Sequence, residues 1–188
     1  MSKTPNLNLS DVAETLLIKL YIRAIESQRP DALLKDERAE ALVSQLDQKT
    51  LQKTLALTDD FSRVAVIVKG REFDRFTRDF LTRHPNAVVV HIGCGLDTRF
   101  ERRDNGQVEW YDLDLPEVIA LRRELLGDAG GRYHLLACSV LDDAWLETVS
   151  VQRPRPILLL AETVFVYFAE AQAKALVLKL RDRFPGAE

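Results

Sequence analysis

Ala87-Val88-Val89-Val90-His91-Ile92-Gly93-Cys94-Gly95 is the stretch on which the reading of this chain turns. Its first six residues are mostly apolar and β-branched, without polar alternation, which suits a strand covered on both faces. Two glycines follow, one residue apart. They let the backbone turn tightly and approach a ligand with no Cβ in the way. A buried strand ending in such a turn, followed by further strands and helices, suits the opening of a parallel sheet, and Gly-x-Gly by itself equally fits an ordinary strand-to-helix turn.

The same alternation continues downstream. Val108 to Tyr111 reads as a second strand, ending in Asp112-Leu113-Asp114. A helix starts at Pro116, a residue favoured in a first turn, and carries Val118, Ile119, Leu121, Leu125 and Leu126 up to Gly127. Tyr133 to Cys138 and Ile157 to Ala161 read as third and fourth strands, with helices at Asp143–Val149 and Glu170–Phe184. Strands alternating with helices imply parallel pairing and right-handed crossovers.

Upstream, residues 1–83 read as helices. The first runs from a Ser10 cap to about Ser27, with Leu16, Leu17, Leu20 and Ala24 in one stripe. The second starts at Asp36, a plausible cap. Two more cover Phe61–Val68 and Glu72–Arg83, the latter with Phe73, Phe76, Phe80 and Leu81 on one side. The expected class is therefore α/β: a helical N-terminal layer over 1–83 and a Rossmann-like parallel sheet over 84–188.

Composition narrows the function. The chain has 188 residues, 46% of them apolar and 29% charged, with a net charge of −3. That balance suits a globular domain and gives no basic surplus for nucleic acid. No apolar run approaches the roughly 20 residues that span a bilayer, so no membrane association is expected. Cys94 and Cys138 are too few for a disulfide framework, and no Cys/His cluster has metal-ligand spacing. The polar N-terminus reads as no signal peptide. The expectation is a reduced, cytoplasmic protein without a metal.

Ligands of open parallel sheets bind beyond the carboxyl ends of the strands. Those ends carry Gly93, Gly95 and Asp97, then Asp112 and Asp114, then Ser139 and Val140, then Glu162. Asp114 lies 19 residues after Gly95, an interval that suits a carboxylate accepting the hydroxyls of a ribose. The run Gly93-Cys94-Gly95-Leu96-Asp97-Thr98 lacks the third glycine of the dinucleotide fingerprint. Asp97 would also repel a pyrophosphate at a helix N-terminus. A ligand with a ribose but no phosphate fits better, and S-adenosylmethionine is one.

Val90-His91-Ile92-Gly93-Cys94-Gly95-Leu96-Asp97-Thr98-Arg99-Phe100 and Trp110-Tyr111-Asp112-Leu113-Asp114-Leu115-Pro116-Glu117-Val118-Ile119 resemble the leucine carboxyl methyltransferase family. The likeness is to the branch containing tetracenomycin polyketide synthesis O-methyltransferases, and it covers about Leu9 to Glu188. It implies a class I methyltransferase in which Gly93 lines the methionine part of the cofactor and Asp114 holds the ribose, with Asp112 as the alternative. It implies that Ser139 and Val140 flank the adenine and that Glu162 sits beside the cationic end. It further implies a basic residue on the cofactor carboxylate, matched by Lys69 with Arg71 nearby, and a second basic position matched by Arg23. Lysine here replaces the family's usual arginine, a point charge in place of a bidentate fork.

The implied activity is O-methyl transfer to a carboxylate or hydroxyl of a small molecule such as a polyketide. A carboxylate acceptor is already ionised near neutral pH and needs no general base, and no catalytic residue is assigned. The fold would show four of seven strands, since Pro185-Gly186-Ala187-Glu188 is the usual approach to a fifth. An unpaired edge at the fourth strand invites self-association and weak cofactor binding. A non-catalytic cofactor-binding protein and a nucleotide-binding oxidoreductase are the alternative classes.

Overall fold

A computed structural model describes residues 11–46, 53, 55, 56, 58–128, 130–152 and 154–188. The chain falls into two compact units. The first holds the described residues up to Arg75 together with Leu96–Arg102, and the second holds Phe76–Gly95 and Arg103–Glu188.

The first unit is helical. Helix α1 spans Asp11–Ser27 and α2 spans Glu37–Val43. Leu17, Leu20 and Ala24 are buried on α1, so this part of its apolar stripe faces inward as the three- and four-residue spacing requires. The Ser10 cap expected for α1 lies outside the described residues. Asp36 caps α2, its carboxylate accepting the Ala39 N–H at 3.0 Å. Helix α3 runs unbroken from Asp60 to Arg83, across the interval where the sequence suggests two helices. Gly70 costs a helix only about 1 kcal/mol relative to alanine. Its missing side chain makes room for Leu34, which would stand 3.2 Å from a Cβ there. The inward side of α3 also departs from its apolar pattern. Asp74 and Thr77 are buried while Phe76 is 54% exposed.

The second unit is a four-stranded, all-parallel sheet in the order β3-β2-β1-β4. The strands are β1 (Val88–Ile92), β2 (Glu109–Asp114), β3 (Tyr133–Ala137) and β4 (Ile157–Ala161). The short helix α4 (Arg99–Arg103), which comes after β1 in the chain, belongs up to Arg102 to the first unit, and helix α5 (Pro116–Leu126) follows β2. Helices α6 (Ala144–Ser150) and α7 (Glu170–Arg183) flank β4. One sheet face supplies Val88, Val90, Ile92, Tyr111, Leu113 and Ile157 to an apolar core closed by Trp145 and Leu146 of α6 and Leu176 and Leu180 of α7. Every residue of β1 is buried, as its unalternated sequence demands.

Two details differ from the sequence pattern. Strand β2 continues through Asp112 to Asp114, so both acids are strand residues and not members of a following loop. The edge of β4 is engaged by Glu188, whose N–H reaches the Ile157 carbonyl at 3.1 Å and whose carbonyl accepts the Leu159 N–H at 2.9 Å. The Glu188 carboxylate is gripped at both oxygens by Arg83, each at 2.7 Å.

Candidate cofactor site

The register aligns the four strand ends. Ile92 pairs with Leu113 on one side and Ala161 on the other, and Asp114 pairs with Ala137. Gly93, Asp114, Ser139, Val140 and Glu162 therefore sit at or just beyond one carboxyl rim. The chain order reverses between β1 and β4, which makes that junction the switch point where such sheets bind ligands.

The turn after β1 is shaped by its glycines. Gly93 and Gly95 have φ of 65° and 52°, left-handed values that L side chains adopt at a cost. A Cβ on Gly93 would stand 2.6 Å from Val164 Cγ2, closer than side chains approach. The Leu113 carbonyl accepts the N–H groups of both Gly93, at 2.8 Å, and Cys94, at 3.2 Å. The Gly95 N–H donates to Asp114 Oδ2 at 2.8 Å, and the Leu115 N–H donates to Asp114 Oδ1 at 2.8 Å. Each Asp114 oxygen thus has one backbone donor and retains further acceptor capacity. Burial pushes the Asp114 carboxyl above the usual carboxylate range, against the pull of these two hydrogen bonds.

Asp112 has a different environment. Only 1% exposed, it accepts Arg122 Nη2 at 2.5 Å and the Tyr133 hydroxyl at 2.7 Å on one oxygen, and Trp110 Nε1 at 2.8 Å on the other. His91 Nδ1 lies 3.4 Å from that second oxygen. Burial works against its charge, but Arg122 and His91 outweigh burial and hold its carboxyl below the usual range. Asp112 is turned into the protein, with three donors on its two oxygens. The sequence could not show this, because the decisive partner, Arg122, lies on the next helix.

At the end of β3, Ser139 and Asp142 close a turn. The Ser139 N–H donates to Asp142 Oδ2 at 3.0 Å, and the Leu141 N–H donates to Ser139 Oγ at 3.2 Å. The Val140 side chain is buried, and its carbonyl accepts Trp145 Nε1 at 3.1 Å. Asp142 is an acidic group at this rim that the strand-end reading passed over, although an acid three residues after a serine is a familiar turn signal. After β4, Glu162 is half-buried, and Thr163 takes φ of 62°. Positive φ is uncommon for a β-branched residue and marks a constrained turn beside the switch point.

Lys69 and Arg71 belong to the first unit, on α3, the former half-buried and the latter exposed. Arg23 of α1 is buried and committed within that unit. Its Nε donates to Asp36 at 2.8 Å and its Nη2 to the Leu96 carbonyl at 2.7 Å. Among the described residues no group of three or more His, Cys, Asp or Glu could hold a metal ion, and no helix is long and apolar enough to cross a membrane.

The family profile described as leucine carboxyl methyltransferase matches residues 17–180. The chain belongs to the leucine carboxyl methyltransferase family. Among its relatives in that company is a tetracenomycin polyketide synthesis O-methyltransferase of Streptomyces glaucescens, 36% identical over 95% of this chain and 64% of its own length. Another is an S-adenosyl-L-methionine-dependent methyltransferase of Gibberella zeae, 31% identical over 94% of this chain and 62% of its own. This leucine carboxyl methyltransferase homologue thus spans less than two thirds of the length of either relative.

Proposed function

We propose that this chain binds S-adenosylmethionine at the carboxyl rim of its sheet and serves O-methyl transfer to a small-molecule carboxylate or hydroxyl. The observation that carries this reading is the Asp114 carboxylate, fixed against Gly95 at the end of β2 with acceptor capacity still open on both oxygens. A ribose diol offers two donors to such a group. Asp112 is only 1% exposed and enclosed by Arg122 and Tyr133, so the ribose falls to Asp114.

The glycine turn fits the cofactor as well. Its left-handed residues bring bare backbone to the rim beside β4, where a side chain at position 93 would find no space. Ser139 and Val140 would flank the adenine, with Asp142 in reach of the same turn. Glu162 would stand by the cationic end. When bound, S-adenosylmethionine supplies an activated methyl group for in-line displacement. The chain's own part is to orient that group and exclude water. No base is assigned, which favours an acceptor already ionised near neutral pH. The name of the Streptomyces relative makes a polyketide carboxylate or phenol the first acceptor class to try. The same reading places the chain in the cytoplasm, where the free thiols Cys94 and Cys138 stay reduced.

Calorimetric titration with S-adenosylhomocysteine and with NAD tests the reading. Saturable binding of the first alone is expected. Preference for NAD would turn the site into that of an oxidoreductase, and binding of neither would end the proposal.

A further inference from the structure

Directly after Gly95 the chain enters an ion cluster built wholly within the first unit. Arg102 of α4 is its centre. Its Nε donates to Asp74 Oδ2 at 2.8 Å, and its Nη1 donates to Asp36 Oδ2 and to Thr98 Oγ1, each at 2.8 Å. Its Nη2 donates to Asp74 Oδ1 at 3.1 Å and to Asp97 Oδ1 at 2.9 Å. A guanidinium has five N–H donors in a fixed fork, and all are engaged. Arg99 adds bonds to Asp74 at 2.8 Å and Asp97 at 3.1 Å, and Arg23 adds its bond to Asp36. Thr98 Oγ1 lies 2.6 and 2.7 Å from the two Asp36 oxygens.

Three arginines face three aspartates, and no side chain among them is more than 12% exposed. Burial disfavours every one of these charges, so the cluster is a poor way to gain stability compared with apolar packing. Buried, fully paired charges do fix a single geometry. What they fix here is the segment Leu96–Arg102, which contributes Asp97, Thr98, Arg99 and Arg102 to the cluster. The backbone either side of the Gly95–Leu96 peptide is held in succession. The Gly95 carbonyl accepts Arg122 Nη1 at 3.0 Å, and the Leu96 carbonyl accepts Arg23 Nη2 at 2.7 Å.

We infer that Arg102 is a positioning residue for the cofactor turn: its cluster with Asp36, Asp74, Asp97 and Thr98 holds Leu96–Arg102 in the conformation from which Gly93 and Gly95 keep their left-handed dihedrals. Affinity for the cofactor is then set by a group that never touches it. This rests on the reading of the rim as an S-adenosylmethionine site.

The test uses the whole chain, with S-adenosylhomocysteine as probe and amide hydrogen exchange as a second readout. Arg102→Met is expected to weaken binding roughly tenfold or more, Thr98→Val about threefold, and Arg102→Lys by an intermediate factor because an ammonium restores charge with fewer donors. Exchange at Leu96–Arg99 should quicken in all three while exchange in β1 stays protected. Arg132→Met, which removes an outlying pair with Asp104, serves as the control with unchanged affinity. Should Arg102→Met fail to fold, Thr98→Val and Arg102→Lys carry the test, since both keep the volume of the site. Binding within about twofold of the unsubstituted chain in the folded variants, or equal loss of protection in β1, overturns the inference. Failure of the unsubstituted chain to bind the probe overturns the site reading itself, and this inference with it.

Discussion

Asp114 Oδ2 accepts the Gly95 backbone N–H at 2.8 Å, so the acid at the end of β2 and the turn at the end of β1 are one construction. Either half alone is a common feature of α/β sheets. Joined, they fix the carboxylate proposed to hold the ribose against bare backbone.

Removing the carboxylate is the most direct perturbation. Asp114→Ala deletes the charged acceptor offered to the ribose, and a hydrogen bond to a charged group contributes about 1.5–3 kcal/mol. The expected loss of S-adenosylhomocysteine affinity is roughly 10- to 100-fold. Isothermal titration at neutral pH measures it, and unaltered affinity would detach the ribose from this residue.

Acidity should weaken the same complex. The free Asp114 carboxyl sits above the usual carboxylate range because burial disfavours its charge. In the empty protein, ionising it therefore costs stability, a cost absent below the ordinary carboxylate pKa and incurred as pH rises through the raised one. Hydroxyl donors require the ionised form and lower its pKa on binding. Affinity should thus be maximal at neutral pH and fall as pH drops through the raised pKa, by up to about tenfold per pH unit. Dissociation constants from pH 4 to 8 give the profile; a flat one in the wild-type chain, or the same slope in Asp114→Ala, would contradict it.

Asp112 predicts stability in place of binding. Asp112→Asn would leave the Arg122 guanidinium buried without its counter-charge, a change that costs about 3–5 kcal/mol. Calorimetric unfolding should show a fall in Tm well beyond that of Asp104→Asn at the surface pair with Arg132. Equal shifts in the two variants would mean that the buried pair adds nothing.

Much of the sheet could be read from local chemistry. Val88–Ile92, apolar but for His91, and Ile157–Ala161 lack polar alternation, as suits covered strands, and glycine or proline marks their surroundings. The rim positions of Gly93, Asp114, Ser139 and Glu162 follow from knowing where strands end. What escaped were features settled by distant partners. Asp112 reads like a second rim acid until Arg122 and Tyr133 are seen to enclose it. Phe76 fits an apolar stripe better than Asp74, yet Asp74 is the inward residue because Arg99 and Arg102 await it. Gly70 looks like a break between helices, yet it costs a helix only about 1 kcal/mol and leaves room for Leu34.

Val164 leaning on the bare α-carbon of residue 93 has an evolutionary corollary. Two independent conditions demand glycine there, the sign of its dihedral and the lack of room. A descendant that trimmed position 164 to alanine would lift the second condition and leave the first in force. Drift in the loop behind β4 can therefore proceed without ever releasing the glycine, whereas a bulkier residue at 93 would need two coordinated changes, one of them in the backbone.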